Sequence, residues 1–184
     1  MRHLFLIIVG VTVTLLINAQ NDTLTNSFEE IIKRQNPTLN YSYDNLNQIH
    51  NYSKNWDFDN DGIKDELYFV GTGGAHLYYF LRVILSSDKV VRDFKYLETD
   101  FPLISSDKEL ALTDFNPIKS NTNLAVYDFG KNGVKQIYIR LDSASFTTNQ
   151  KQLKKNGINT KHICITFDKR KAKLIDYEKR EKPR

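Results

Sequence analysis

The chain has a single cysteine, Cys164, so no intrachain disulfide can staple it. That cysteine lies in the apolar run Ile163-Cys164-Ile165, where a thiol behaves as a small buried hydrophobe rather than a nucleophile. Histidine is scarce too: none of His50, His76 and His162 is spaced with a second ligand as a zinc site requires. There is no G-x-S-x-G elbow, and no serine, histidine and aspartate stand out as a triad. The glycine-rich stretch Gly71-Thr72-Gly73-Gly74-Ala75-His76 lacks the lysine of a phosphate-binding loop. No catalytic constellation is visible, and the expectation is a protein that is not an enzyme. No long helical pattern separates the apolar runs either, which argues against the crossovers of a parallel, doubly wound sheet.

What is present is a globular composition, 40% hydrophobic and 12% aromatic over 184 residues, with ten Tyr and eleven Phe. Aromatic side chains of this kind suit pleated, half-buried surfaces. The first nineteen residues read as a signal peptide. A basic Met1-Arg2-His3 precedes the uncharged apolar stretch 4–17, and Asn18-Ala19-Gln20 offers a cleavage point after Ala19. The alternative is an uncleaved anchor, but the stretch is shorter than the roughly 20 residues a span needs. The expected location is therefore periplasmic or secreted, with no stable membrane span after cleavage.

Net charge is +4, unevenly placed. Residues 151–184 carry twelve Lys or Arg against four Asp or Glu, so the remaining mature body is mildly acidic. The basic tail 178–184 reads as a solvated terminus, with contact to an anionic polymer or membrane surface as the alternative. Nucleic acid is not expected as a partner, because the basic residues are terminal and few aromatics lie among them.

Ser27-Phe28-Glu29-Glu30 has the form of a capping box, and Phe28, Ile31 and Ile32 share one helical face. Pro37 follows, so the pattern predicts one short amphipathic helix over 28–35. Beyond it come strand signals at 67–70, 77–85, 90–94, 124–127, 136–141, 162–167 and 172–177, separated by turn residues. The expectation is a mostly β fold, one domain over 20–177. An internal repeat is suggested by Asp57-Phe58-Asp59-Asn60-Asp61-Gly62-Ile63-Lys64 set against Asp128-Phe129-Gly130-Lys131-Asn132-Gly133-Val134-Lys135. Two antiparallel, strand-rich units, about 46–94 and 124–177, would then pack as a sandwich or as partial propeller blades.

The chemistry concentrates in Asp57-Phe58-Asp59-Asn60-Asp61-Gly62-Ile63-Lys64-Asp65. Aspartate stands at loop positions 1, 3, 5 and 9, and glycine at 6. Four carboxylates crowded into nine residues repel one another unless a cation lies among them. Calcium accepts six to eight oxygen ligands and tolerates irregular geometry, whereas magnesium is stricter and keeps more water. The expected ligands are Asp57, Asp59, Asp61, the Ile63 carbonyl and Asp65. An EF-hand is excluded, since its closing glutamate would fall at Tyr68, inside a strand. In the second copy Gly130, Asn132 and Gln136 replace the acids, which leaves a structural turn.

The run DFDNDGIKDELYFV resembles the calcium loop of FG-GAP/VCBS-type repeats, found in integrin α-chain propellers and many exported bacterial proteins. The resemblance covers about a dozen residues, and more weakly 128–139. It implies a DxDxDGxxD loop joining two antiparallel strands, with the same five residues as calcium ligands. A full propeller would need a longer chain. The resulting expectation is an exported, calcium-binding module that docks to another protein. Gly73, Gly74 and His76, in the glycine-rich loop beside Tyr78 and Tyr79, are the candidate contact. Two alternatives stay open: a periplasmic inhibitor or immunity protein against a cell-wall lytic hydrolase, and an enzyme on envelope polymers with structural calcium.

Overall fold

A computed structural model describes residues 28–100, 102, 122–128 and 135–179. The signal-like segment, Ser27, the centre of the second loop copy (129–134) and most of the basic tail lie outside the described residues. The fold is mostly β, as the strand signals predict. Helix α1 (28–35) comes first, followed by a five-stranded antiparallel sheet of β1 (Ser42–Asp44), β2 (Ile49–Asn51), β3 (Glu66–Gly71), β4 (Tyr79–Ile84) and β5 (Val91–Thr99). A four-stranded sheet follows: β6 (Leu124–Asp128), β7 (Lys135–Arg140), β8 (His162–Asp168) and β9 (Lys171–Asp176). In both sheets the strands lie in chain order, every neighbour antiparallel.

Alternation puts one face of each sheet into a shared core. Phe69, Leu81 and Phe94 align across β3, β4 and β5, while Ile137 and Ile165 pair between β7 and β8. All five belong to one apolar cluster that also takes Ile32 from α1. The second sheet is buried on its other face as well, where Ala125, Tyr127, Tyr138, Cys164 and Tyr177 form a separate cluster. Cys164 is buried there, and its Sγ lies 2.7 Å from the Tyr127 hydroxyl.

Three elements differ from the sequence expectation. The hairpin β1–β2 has no strand signal of its own, because Ser42, Asp44 and Asn51 dilute its apolar pattern. Strand β5 runs on to Thr99, with an irregular register between Phe80 and Leu81 that takes up the extra residues. And α1 is not the sole helix: α2 (Ser143–Lys155) joins β7 to β8. It has little apolar periodicity, and Ser145 and Leu153 are its buried residues. Its ends define it instead. Asp142 caps the start, accepting from the Ala144 and Ser145 amides at 2.7 and 3.2 Å. Gly157, at φ 76°, ends it: its amide reaches the Lys154 carbonyl, and the Ile158 amide reaches that of Leu153. Leu153 and Ile158 are both fully buried. Within α1, Ile32 is fully buried but Ile31, expected on the same face, is 37% exposed.

Candidate metal centre

The β2–β3 ladder continues past the strand ends. The Tyr52 amide donates to Leu67, Lys54 to Asp65, and Asp65 to the Trp56 carbonyl. This closes the base of a long hairpin whose tip holds Asp57, Asp59 and Asp61. Gly62, at φ 88°, and Asn60, at φ 58°, make the turn, and both positions favour residues that tolerate a left-handed backbone. Phe58 points inward, is fully buried, and meets Phe167 of β8 at 6.1 Å between ring centroids. This aromatic pair pins the loop, which belongs to the first sheet's hairpin, to the second sheet.

The turn brings three of the aspartates together. One carboxylate oxygen from each of Asp57, Asp59 and Asp61 lies within 4.8 Å of the others. Each carboxylate is also held by the protein. Asp57 Oδ2 accepts from the Gly62 amide at 2.8 Å, and Asp61 Oδ1 from the Ile63 amide at 2.8 Å. Ser86 Oγ donates to Asp61 Oδ2, and Ser87 Oγ to Asp59 Oδ2. The Ser86 hydroxyl first, and then the Ile63 amide, hold the Asp61 carboxyl below the usual range. Asp57 Oδ1 and Asp59 Oδ1 are different: both are sealed from solvent and neither receives a hydrogen bond.

Asp65 has another place. It is 1% exposed, and its two oxygens accept from the Phe58 amide at 2.6 Å and the Ser86 amide at 2.8 Å. It ties the loop to the β4–β5 turn and is not among the three converging carboxylates. Burial pushes its carboxyl up, against the lowering effect of those two amides. Ile63 presents a 60% exposed side chain at the tip. Ser86 and Ser87 were not legible as site residues, since nothing local links them to a loop more than twenty residues earlier.

Opposite the acids stands the β8–β9 turn. Asp59, Asp61 and Ser87 face Asp168, Lys169, Arg170 and Lys171 across an open cleft of ≈ 810 Å³. Arg92 bridges the two sheets beside it, pairing with Asp88 and donating to the Arg170 carbonyl at 2.9 Å.

The glycine-rich loop lies elsewhere, at the β3–β4 connection. Gly73 and Gly74 both take positive φ and are exposed, and His76 packs against Tyr78 at 4.7 Å between ring centroids. Gly71 is needed for another reason: a Cβ there would come within 2.7 Å of Gln48 Cβ. His50 and His162 each bond a tyrosine hydroxyl through Nδ1, Tyr41 at 2.9 Å and Tyr138 at 2.7 Å. Among the described residues no helix is long and apolar enough to cross a membrane. No family model, curated protein or solved structure matches the chain.

Proposed function

We propose that loop 57–65 binds one calcium ion and that the chain is an exported, non-enzymatic module that presents neighbouring loops to a protein partner. The observation that carries this reading is the pair of carboxylate oxygens, Asp57 Oδ1 and Asp59 Oδ1, closed off from water without a donor. A buried anionic oxygen without a partner is costly, and a cation satisfies several at once. An all-oxygen donor set on an irregular loop suits calcium better than magnesium or a softer metal. Asp57, Asp59 and Asp61 would hold the ion, with the Ile63 carbonyl and water completing the shell. Asp65, expected as a fourth ligand from its spacing and from the resemblance to FG-GAP/VCBS loops, would in this reading keep the loop in shape instead.

The ion's role in this reading is neutralisation. It removes the mutual repulsion of three carboxylates and so fixes a hairpin tip that reaches both sheets. Gly73, Gly74 and His76, exposed on the next hairpin of the same sheet, are the proposed contact surface. The deciding experiment is calorimetric titration of the mature protein with calcium, alongside thermal unfolding in calcium and in chelator. Saturable binding of one ion with a raised Tm supports the reading; no heat and no shift ends it.

A further inference from the structure

His50 is fully buried, and the acidic loop makes no use of it. Four aromatic rings enclose it: Phe28 of α1 at 5.6 Å, Tyr43 of β1 at 4.6 Å, Tyr79 of β4 at 4.7 Å and Tyr41 at 6.1 Å. Nδ1 has the Tyr41 hydroxyl, but Nε2 is buried with no hydrogen-bond partner. A neutral imidazole can bond the Tyr41 hydroxyl and leave its second nitrogen as a bare lone pair. An imidazolium carries a proton on both nitrogens, and here the Nε2 proton would have no acceptor.

We infer that His50 is an acid-sensitive latch: neutral, it lets α1 and the β1–β2 hairpin close over the first sheet, and on protonation it releases that corner while the second sheet stays folded. Other ties to the corner are few and local: the Gln48 carbonyl accepts from the Gly71 amide at 2.8 Å, β2 pairs with β3, and the Tyr41 ring is buried in the core cluster. Strands β1 and β2 are three residues each, and α1 is attached through Phe28, Ile32 and the Glu29 carboxylate, which accepts from the Tyr43 amide at 3.4 Å. The charged and titratable groups around the ring are Glu29 from α1, Tyr41 and Tyr43 beside it, and Tyr79 from β4. Asp44, at the end of β1, is turned to Asn47. Across β3 the partner is the uncharged Phe69. Burial is what depresses the imidazole, to about 3 from 6.5. The open form takes up the proton first, so opening grows as pH falls through 6.5 and levels off near 3.

Hydrogen exchange of the full mature chain, corrected for intrinsic rates, tests this. Protection of residues 42–51 is expected to fall roughly 100-fold between pH 7.5 and 4.5, with β6–β9 unchanged. In His50→Gln, which does not titrate, the fall is expected to vanish. Equal loss in the variant, loss in both sheets together, or no loss would each overturn the latch. If the variant does not fold, an NMR titration of the wild-type imidazole decides: a ring that protonates near 6.5 with β1–β2 still protected overturns it, and a ring that stays neutral until that hairpin opens supports it.

Discussion

Ser87 Oγ donates to Asp59 Oδ2 at 2.5 Å, so the β4–β5 turn grips the acidic loop from across the sheet. The next residue, Asp88, is held by Arg92, which in turn reaches the Arg170 carbonyl of the second sheet. The acids are therefore mechanically continuous with the seam between the sheets.

The first prediction concerns charge in the loop. Asp59→Asn is expected to abolish the calcium-induced rise in Tm while leaving the chelator-treated protein as stable as wild type or slightly more so, because one repulsive charge is gone. For wild type, calcium at a hundredfold excess over Kd should add about 2.7 kcal/mol. Urea unfolding with and without calcium measures both.

Asp65→Asn should behave in the opposite way. The amide keeps one acceptor oxygen and loses the other, so either the Phe58 or the Ser86 amide is left without its partner in a buried place. A loss of about 1–3 kcal/mol is expected even in chelator. A variant that is fully stable without calcium would show that Asp65 does not clamp the loop.

Gly71→Ala tests close approach. The new methyl would meet Gln48 Cβ at 2.7 Å, and Gln48, at φ 53°, has little freedom to retreat. A destabilisation of about 1–3 kcal/mol is expected from overpacking, read by the denaturation midpoint.

The Arg82–Asp93 pair on the outer face of the first sheet predicts a pH effect. Two hydrogen bonds, at 2.6 and 2.9 Å, join the guanidinium to the carboxylate. Hydrogen bonding to Arg82 holds the Asp93 carboxyl below its usual value. Its contribution is present above the unfolded-state value of 3.8 and is lost as pH falls through the lower folded value. Both side chains are partly exposed, so Asp93→Asn should cost about 0.5–1 kcal/mol at pH 7 and less at pH 2. Equal costs at the two pH values would refute the ion pair.

The buried Cys164 should resist thiol reagents in the native protein and react once per chain in denaturant. Rapid native labelling would show that the outer face of the second sheet opens readily.

Most strands of both sheets were readable because apolar residues alternate or run together, as in Ile137, Ile139, Ile163 and Ile165. The loop was readable for an equally local reason: acids at alternate positions around a glycine are forced close together by the turn itself, and like charges so placed call for a counter-charge. What failed to show was non-local or polar. Helix α2 hides because threonine, asparagine and glutamine fill its exposed faces, though Asp142 and Gly157 mark its ends. The division of labour between Asp65 and the other three aspartates depends on two amides, one of them Ser86, and spacing cannot reveal which oxygen a distant amide will find. That His50 has no zinc-spaced partner was readable, but not its ring of aromatics, which three separate elements assemble.

Both sheets are simple meanders, each strand paired with the one before it in the chain. Every ladder can therefore zip up between close neighbours, and a single distant encounter, sheet meeting sheet, remains to be made. Separate polypeptides carrying β1–β5 and β6–β9 should accordingly be able to find each other and rebuild the whole.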